Sequence, residues 1–324
     1  MQVDDLKRKR LRGIALRALG VALVLGVLVW GAQQVDFAKV GATLRRTDPL
    51  LLCTAVPALL ALSFLLRSVR FHVLVRALPT PKGRPFRLWD SFKSLLASMA
   101  ANNIVPLRLG ELVRTRDLVA RGYPLANVAV AQVTEKGVEL TTLLACAVPL
   151  VPLGLVRFPQ VPAWAVAAAV ALAAAVVGAL FWQRRTRRKG QPGLVVGLGA
   201  VAQSAAWSFA ADAAEIVLIA VCLKAVGIVA DWRASIAVLV GINLAISIPS
   251  TPAQLGAFEA GGALALGVLG VSADQAVAFA LLYRVVQWVP TTLVGGIVLL
   301  AARASVAPAA PLAPGAPAAP TEGP

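Results

Sequence analysis

Along the chain, apolar residues gather in long runs broken by short polar and basic stretches. Such runs lie at roughly 13–32, 50–66, 91–105, 125–152, 162–183, 194–222, 234–249, 255–270 and 275–302. Several reach the about 20 residues that a helix needs to cross about 30 Å of hydrocarbon. Leu, Ala, Val and Gly dominate them, and polar and apolar positions do not alternate strictly. The pattern therefore predicts helices rather than barrel strands. The expected fold class is an all-α polytopic membrane protein with eight to nine membrane segments.

Composition agrees with the pattern. Hydrophobic residues make up 59% of the 324 and charged residues only 14%, against about a quarter charged in soluble domains. The apolar excess must face lipid. One membrane domain is expected over residues 13–303, between a basic cytoplasmic stretch at 1–12 and a Pro/Ala-rich tail at 304–324 read as disordered. Ile14 to Ala32 is long for a secretory signal and is read as an uncleaved first span.

The net charge of +16 raises nucleic acid as a partner, but the basic residues sit in clusters between apolar runs. That distribution fits cytoplasmic loops facing an anionic leaflet and excludes nucleic acid from the expected partners. Topology follows from the same clusters. If every run crossed, the cluster Arg184–Lys189 would fall opposite the N-terminal one. If 91–105 dips in and returns, and 234–249 with 255–270 form a second hairpin from outside, 22 basic residues lie on the cytoplasmic side and 6 outside. Six spans plus two re-entrant helical hairpins are therefore expected, with both ends cytoplasmic, in the bacterial cytoplasmic membrane.

The hairpins resemble one another. The first reads NNIVPLRLGELVR, with Asn103, Pro106, Gly110 and Glu111; the second reads NLAISIPSTPAQLGAFEAGG, with Asn243, Pro249, Pro252, Gly256 and Glu259. Pro and Gly interrupt helices at membrane depth where protein or a cavity surrounds the freed backbone. Opposite entry would relate the two halves by inverted topology, with a site between them near midplane.

Ionisable residues in apolar runs are costly and persist when paired or functional. Glu135 and Glu139 share one helical face beside Lys136, and Asp212 and Glu215 share another. Arg284 follows Tyr283 in the last run, and the hairpins add Arg108, Glu111, Arg114 and Glu259. Two readings stay open. The charges pair internally, for example Glu135 or Glu139 with Arg284, or they line a polar cavity that binds a charged group. In the second reading Arg108 and Arg284 hold an anionic headgroup, because a guanidinium fork matches phosphate.

Other residues carry less. Arg67 to Phe71 is read as a basic anchor at a span end, and six of the tryptophans, Trp288 among them, as interfacial residues. His72 lacks partners for a metal or triad site and is read as a loop or interfacial residue. Cys53, Cys146 and Cys222 are too scattered for a disulfide framework or a zinc site. No Walker A, HExxH or GxSxG sequence occurs, so neither an enzyme nor a metal or other cofactor is expected.

The ordered series RSVRF, NNIVPLRLGELVR, TEKGVE, IPSTPAQLGAFE and a final YR resembles the flippase-like integral membrane family. That family is also called the lysylphosphatidylglycerol synthase transmembrane region. The resemblance covers about residues 10–303. The family's N-x-x-P-x-R-x-G-E pattern is matched by Asn103, Pro106, Arg108, Gly110 and Glu111, and its E-[RK]-x-x-[DE] pattern by Glu135, Lys136 and Glu139. Its P-x-P-G-G-x-G-x-x-E pattern is met at Pro249 to Glu259, with Ala253 and Gln254 standing where the paired glycines usually are.

The resemblance implies translocation of a membrane phospholipid or lipid-linked substrate, with Arg108, Glu111, Glu135, Glu139, Glu259 and Arg284 at the site. An accessory role beside an envelope-synthesis enzyme and a small-solute or ion channel remain alternatives. Family members joined to a soluble transferase domain modify phosphatidylglycerol. A Pro/Ala tail follows the last run here, so that activity is not expected.

Overall fold

The computed structural model describes residues 51–79, 85–104, 110–150, 196–229, 231–247, 254 and 256–305. The expected spans at 13–32 and 162–183, the basic cluster 184–189 and the tail lie outside them, as do Pro106, Arg108, Pro249 and Pro252. Among the described residues every element is helical. After a π-helical turn at Leu51–Ala55 come α1 (Val56–Arg76), α2 (Leu88–Ile104), α3 (Gly110–Ala120), α4 (Leu125–Ala147), α5 (Leu198–Ala225), α6 (Trp232–Ser247), α7 (Ala257–Val268) and α8 (Ala273–Ser305).

Among the described residues three stretches are long and apolar enough to cross a membrane: Cys53–Arg76, Leu198–Ala225 and Ala273–Ala301. Helix α4 has 23 residues, about 34 Å at the usual helical rise, but carries three charges. Large apolar side chains such as Leu62, Leu65, Val133, Phe209, Val217, Leu293 and Ile297 point outward, as a lipid-facing surface requires. The core joins α1, α2, α5, α6, α7 and α8 through Leu60, Phe64, Leu218, Leu223, Leu239, Leu266 and Phe279.

One expected boundary moves. The run read as 50–66 continues as helix to Arg76, so Arg67, Arg70 and His72 are helical rather than loop residues. The polar letters RSVR read as an exit from the membrane, but Arg70 is only 3% exposed. Its charge finds partners inside the bundle.

Two antiparallel helix pairs organise the rest. In the first, α3 turns back along α2: the Gly110 N–H donates to Asn102 Oδ1 at 2.7 Å, and a side chain at Gly110 would strike the Ser98 carbonyl. In the second, Gly241 of α6 and Gly261 of α7 let the backbones touch. A Cβ on either would lie 2.6–2.7 Å from the other's carbonyl oxygen, the small-residue contact that lets membrane helices pack closely.

Helix α8 serves both pairs. Travelling along it, Gly262 of α7 lies near Ala280, and Phe258 stacks on Tyr283. Further on, Asn103 of α2 donates to Thr291 and Thr292 at 3.1 and 2.8 Å, and Gly295 meets Leu96 and Ala100 of α2. The ends of α2 and α6 and the start of α7 therefore converge beside residues 283–291. Pro290 lies inside this stretch.

The contact at Gly295 is testable. A Cβ there would overlap the Leu96 carbonyl, and backbone cannot yield without separating the helices. Gly295→Ala is expected to cost about 1–3 kcal/mol from overpacking, more than the helix-propensity gain of about 1 kcal/mol. The control is Gly267→Ala, where a Cβ meets nothing within 4 Å. Thermal unfolding in detergent should show the first variant melting lower and the second not.

Candidate functional site

The buried charges separate into two groups. The first joins α1, α3 and α4. Glu135 is 1% exposed and sits between Arg70, at 3.1 Å from Oε1, and Arg114, at 2.9 Å from Oε2. The Arg114 contact is an ion pair off the hydrogen-bond direction, since Glu135 Oε2 accepts no hydrogen bond. Arg70 also reaches Glu139 at 3.4 Å, and Arg114 reaches Glu111 at 3.2 Å. Lys136 closes the ring, 3.4 Å from Glu111 and 3.1 Å from Glu139. The Arg114 guanidinium lies 3.7 Å above the Phe71 ring, a cation–π contact that helps hold a desolvated cation.

Arg70 carries this group to α5 by donating to Ser208 at 3.2 Å, whose hydroxyl also bonds Thr142 at 2.9 Å.

The second group surrounds a cavity of about 130 Å³ where the two helix pairs meet α8, α1 and α5. Its polar wall comes from Arg67, Asn103, Glu215, Asn243, Arg284 and Gln287, and its aromatic wall from Phe258, Tyr283 and Trp288. Glu215 is the hub. It accepts from Ser63 at 3.0 Å, Arg67 at 2.6 Å, Tyr283 at 2.5 Å and Gln287 at 2.7 Å. Four donors on two carboxylate oxygens leave this acid with little capacity for more.

Donors on the same wall are in surplus. Arg67 Nε and Trp288 Nε1 are buried without an acceptor. Arg284 pairs with Glu259 at 2.6 Å and lies 5.6 Å from the centre of the Phe258 ring. The other oxygen of Glu259 accepts the Gly256 N–H at 2.8 Å, so this one carboxylate both caps α7 and holds the arginine.

Gly256 and Gln254 turn with φ of 83° and 57°. The second is the left-handed region that favours glycine, and it falls where the resembling family usually has one of its paired glycines.

Of the expected site residues, Arg284 lines the cavity and Glu259 pairs with it. Glu111, Glu135 and Glu139 lie in the other group, and Arg108 is outside the described residues. The pairing of Glu135 or Glu139 with Arg284 is corrected: both acids take Arg70, and Arg284 takes Glu259. The anchor reading of Arg67 to Phe71 is corrected too, because two adjacent turns of α1 supply one arginine to each group. Trp288 lies in the middle of α8 on the cavity wall, not near the end of its segment.

In the sequence, Glu215, Tyr283 and Arg114 stand out as polar residues of apolar runs with no place at the site, and Gln287 does not stand out. Their spacing of four residues, Tyr283 to Gln287, was the available signal for one helical face.

Among the described residues no three His, Cys, Asp or Glu side chains converge as metal ligands do. Outside the bundle, Asp90 joins α2 to the end of α3. Burial works against its charge, but the Arg87 N–H at 3.0 Å and the Arg121 guanidinium at 3.2 Å hold its carboxyl below the ordinary range.

Residues 17–295 match the sequence model of a family described as lysylphosphatidylglycerol synthase TM region. No curated protein matches the chain.

Proposed function

The chain belongs to the lysylphosphatidylglycerol synthase transmembrane-region family, and from that premise we propose that it translocates phosphate-bearing lipids across the bacterial cytoplasmic membrane. The headgroup occupies the cavity between the two hairpin ends, and the acyl chains stay in the bilayer. The observation that carries this reading is the imbalance of the cavity wall. Arg67 Nε and Trp288 Nε1 lack acceptors, while the wall's carboxylate, Glu215, already accepts from four groups. A ligand that completes such a wall brings acceptor oxygens, as a phosphate does.

Size points the same way. Drug-sized ligands occupy about 300–1,000 Å³, so about 130 Å³ suits a headgroup and not a whole lipid. Arg67 therefore takes the place first given to Arg108, beside Arg284.

The helix directions support an inverted architecture. Helices α2 and α7 both run antiparallel to α8, as Asn103–Thr291 with Leu96–Gly295, and Phe258–Tyr283 with Gly262–Ala280, indicate. The first arms of the two pairs, α2 and α6, then run in opposite senses, as hairpins entering from opposite faces do. Length supports re-entry: α3 and α7 have 11 and 12 residues, about 16–18 Å of helix against about 30 Å of hydrocarbon.

The full chain, purified in mild detergent, should retain a phosphate-bearing lipid detectable by native mass spectrometry, and Arg67→Ala should lose it. Headgroup exchange in proteoliposomes should exceed that of protein-free vesicles. A chain that retains no such lipid and exchanges none refutes the reading.

A further inference from the structure

One buried carboxylate belongs to neither charge group and lies between them. Asp212 of α5 is 7% exposed. It sits one turn after Ser208, the hydroxyl that takes Arg70, and one turn before Glu215, the hub of the cavity. Its Oδ2 has no hydrogen-bond partner, and among the described residues it stands in no ion pair.

The groups that face it can be named element by element. Helix α1 offers Arg67 and Arg70, held instead by Glu215 and by Glu135 with Glu139. Helix α4 offers Glu139, Cys146 and Thr142, the last a hydrogen-bond partner that leaves Oδ2 unsatisfied. On its own helix the next acid is Glu215, whose two oxygens already accept from four donors. An ionised carboxylate enclosed in this way, with both nearby guanidiniums committed elsewhere, is far costlier than its neutral acid.

We infer that Asp212 is a proton-binding site linking the two charge groups, protonated in the arrangement described and deprotonated when Arg67 or Arg70 turns to it. On release the O–H bond breaks and the proton passes to water. The carboxylate then draws one guanidinium from its present partner. Drawing Arg67 away from Glu215 remakes the cavity wall, so proton release and headgroup binding become linked equilibria. This coupling rests on the translocation reading, but the protonation itself does not.

Infrared spectroscopy of the full chain in lipid nanodiscs tests the two parts separately. At neutral pH the natural chain is expected to show the band of a protonated carboxylic acid, lost in Asp212→Asn and kept in Glu259→Gln. No band, or a band that survives in Asp212→Asn, overturns the proton site. In proteoliposomes, an imposed pH gradient should change headgroup exchange several-fold for the natural chain and leave Asp212→Asn unaffected, with lipid retention intact in both. An infrared band with a gradient response that persists in Asp212→Asn overturns the coupling alone. A band without any lipid exchange overturns the translocation reading and leaves the proton site standing.

Discussion

A Glu135→Ala chain is expected to fail in folding before any question of transport arises. Its carboxylate lies between Arg70 and Arg114, whose side chains are 4% and 1% exposed. As carboxylate partners, Arg70 would keep only Glu139 at 3.4 Å, and Arg114 only Glu111 at 3.2 Å, an acid one-third exposed. Both arginines already carry buried nitrogens without acceptors. Breaking a buried pair by removing one partner costs about 3–5 kcal/mol, a large share of the about 5–15 kcal/mol that holds a typical domain together.

The measurement is thermal unfolding in detergent with size-exclusion chromatography. Glu135→Ala should melt far lower or aggregate. Adding Arg114→Met should restore much of the loss, since replacing a buried pair by apolar groups of similar volume is often neutral. A Glu135→Ala chain that melts like the natural one would show that the acid does not brace the bundle.

Arg284→Ala should behave in the opposite way, keeping the fold and losing exchange. The partner it leaves, Glu259, is 21% exposed at its side chain and retains the Gly256 N–H, so no fully buried charge is stranded. A hydrogen bond to a charged group contributes about 1.5–3 kcal/mol, which corresponds to roughly 10- to 150-fold in affinity. Headgroup exchange in proteoliposomes should fall by that order, with a melting temperature close to the natural value. Arg284→Lys should recover only part, because an ammonium lacks the planar fork that pairs with Glu259 and lies over Phe258. Natural exchange rates in Arg284→Ala would remove Arg284 from the site.

These variants separate two kinds of buried charge, and the sequence alone did not. Apolar run length located α4, α5, α6, α7 and α8 to within a few residues, because lipid and the core impose the same demand on every turn of a spanning helix. It misplaced the end of α1. Arginines near the end of a span read as residues reaching for the headgroups, and only tertiary packing reveals that Arg67 and Arg70 turn inward.

Spacing put Glu135 and Glu139 on one face, and the contacts agree, since both reach Arg70. Spacing could not select that arginine, because it lies 65 residues away in the chain. Coulombic attraction has no sequence period. The glycines of the two motifs did mark where a helix pair closes, since Gly110 and Gly256 answer to local geometry.

Pro290 gives helix α8 a mechanical character of its own. Proline donates no hydrogen bond, so the carbonyl of Val286, one turn back, lacks its usual helical partner, and the rod is weakest at that level. The joint falls between the stretch gripped by Phe258 and Glu259 and the stretch gripped by Asn103 and Leu96. Flexing there would tilt one half against the other about the cavity. A single rod weakest at its middle thus ties both helix pairs together, so that a displacement of one pulls on its counterpart.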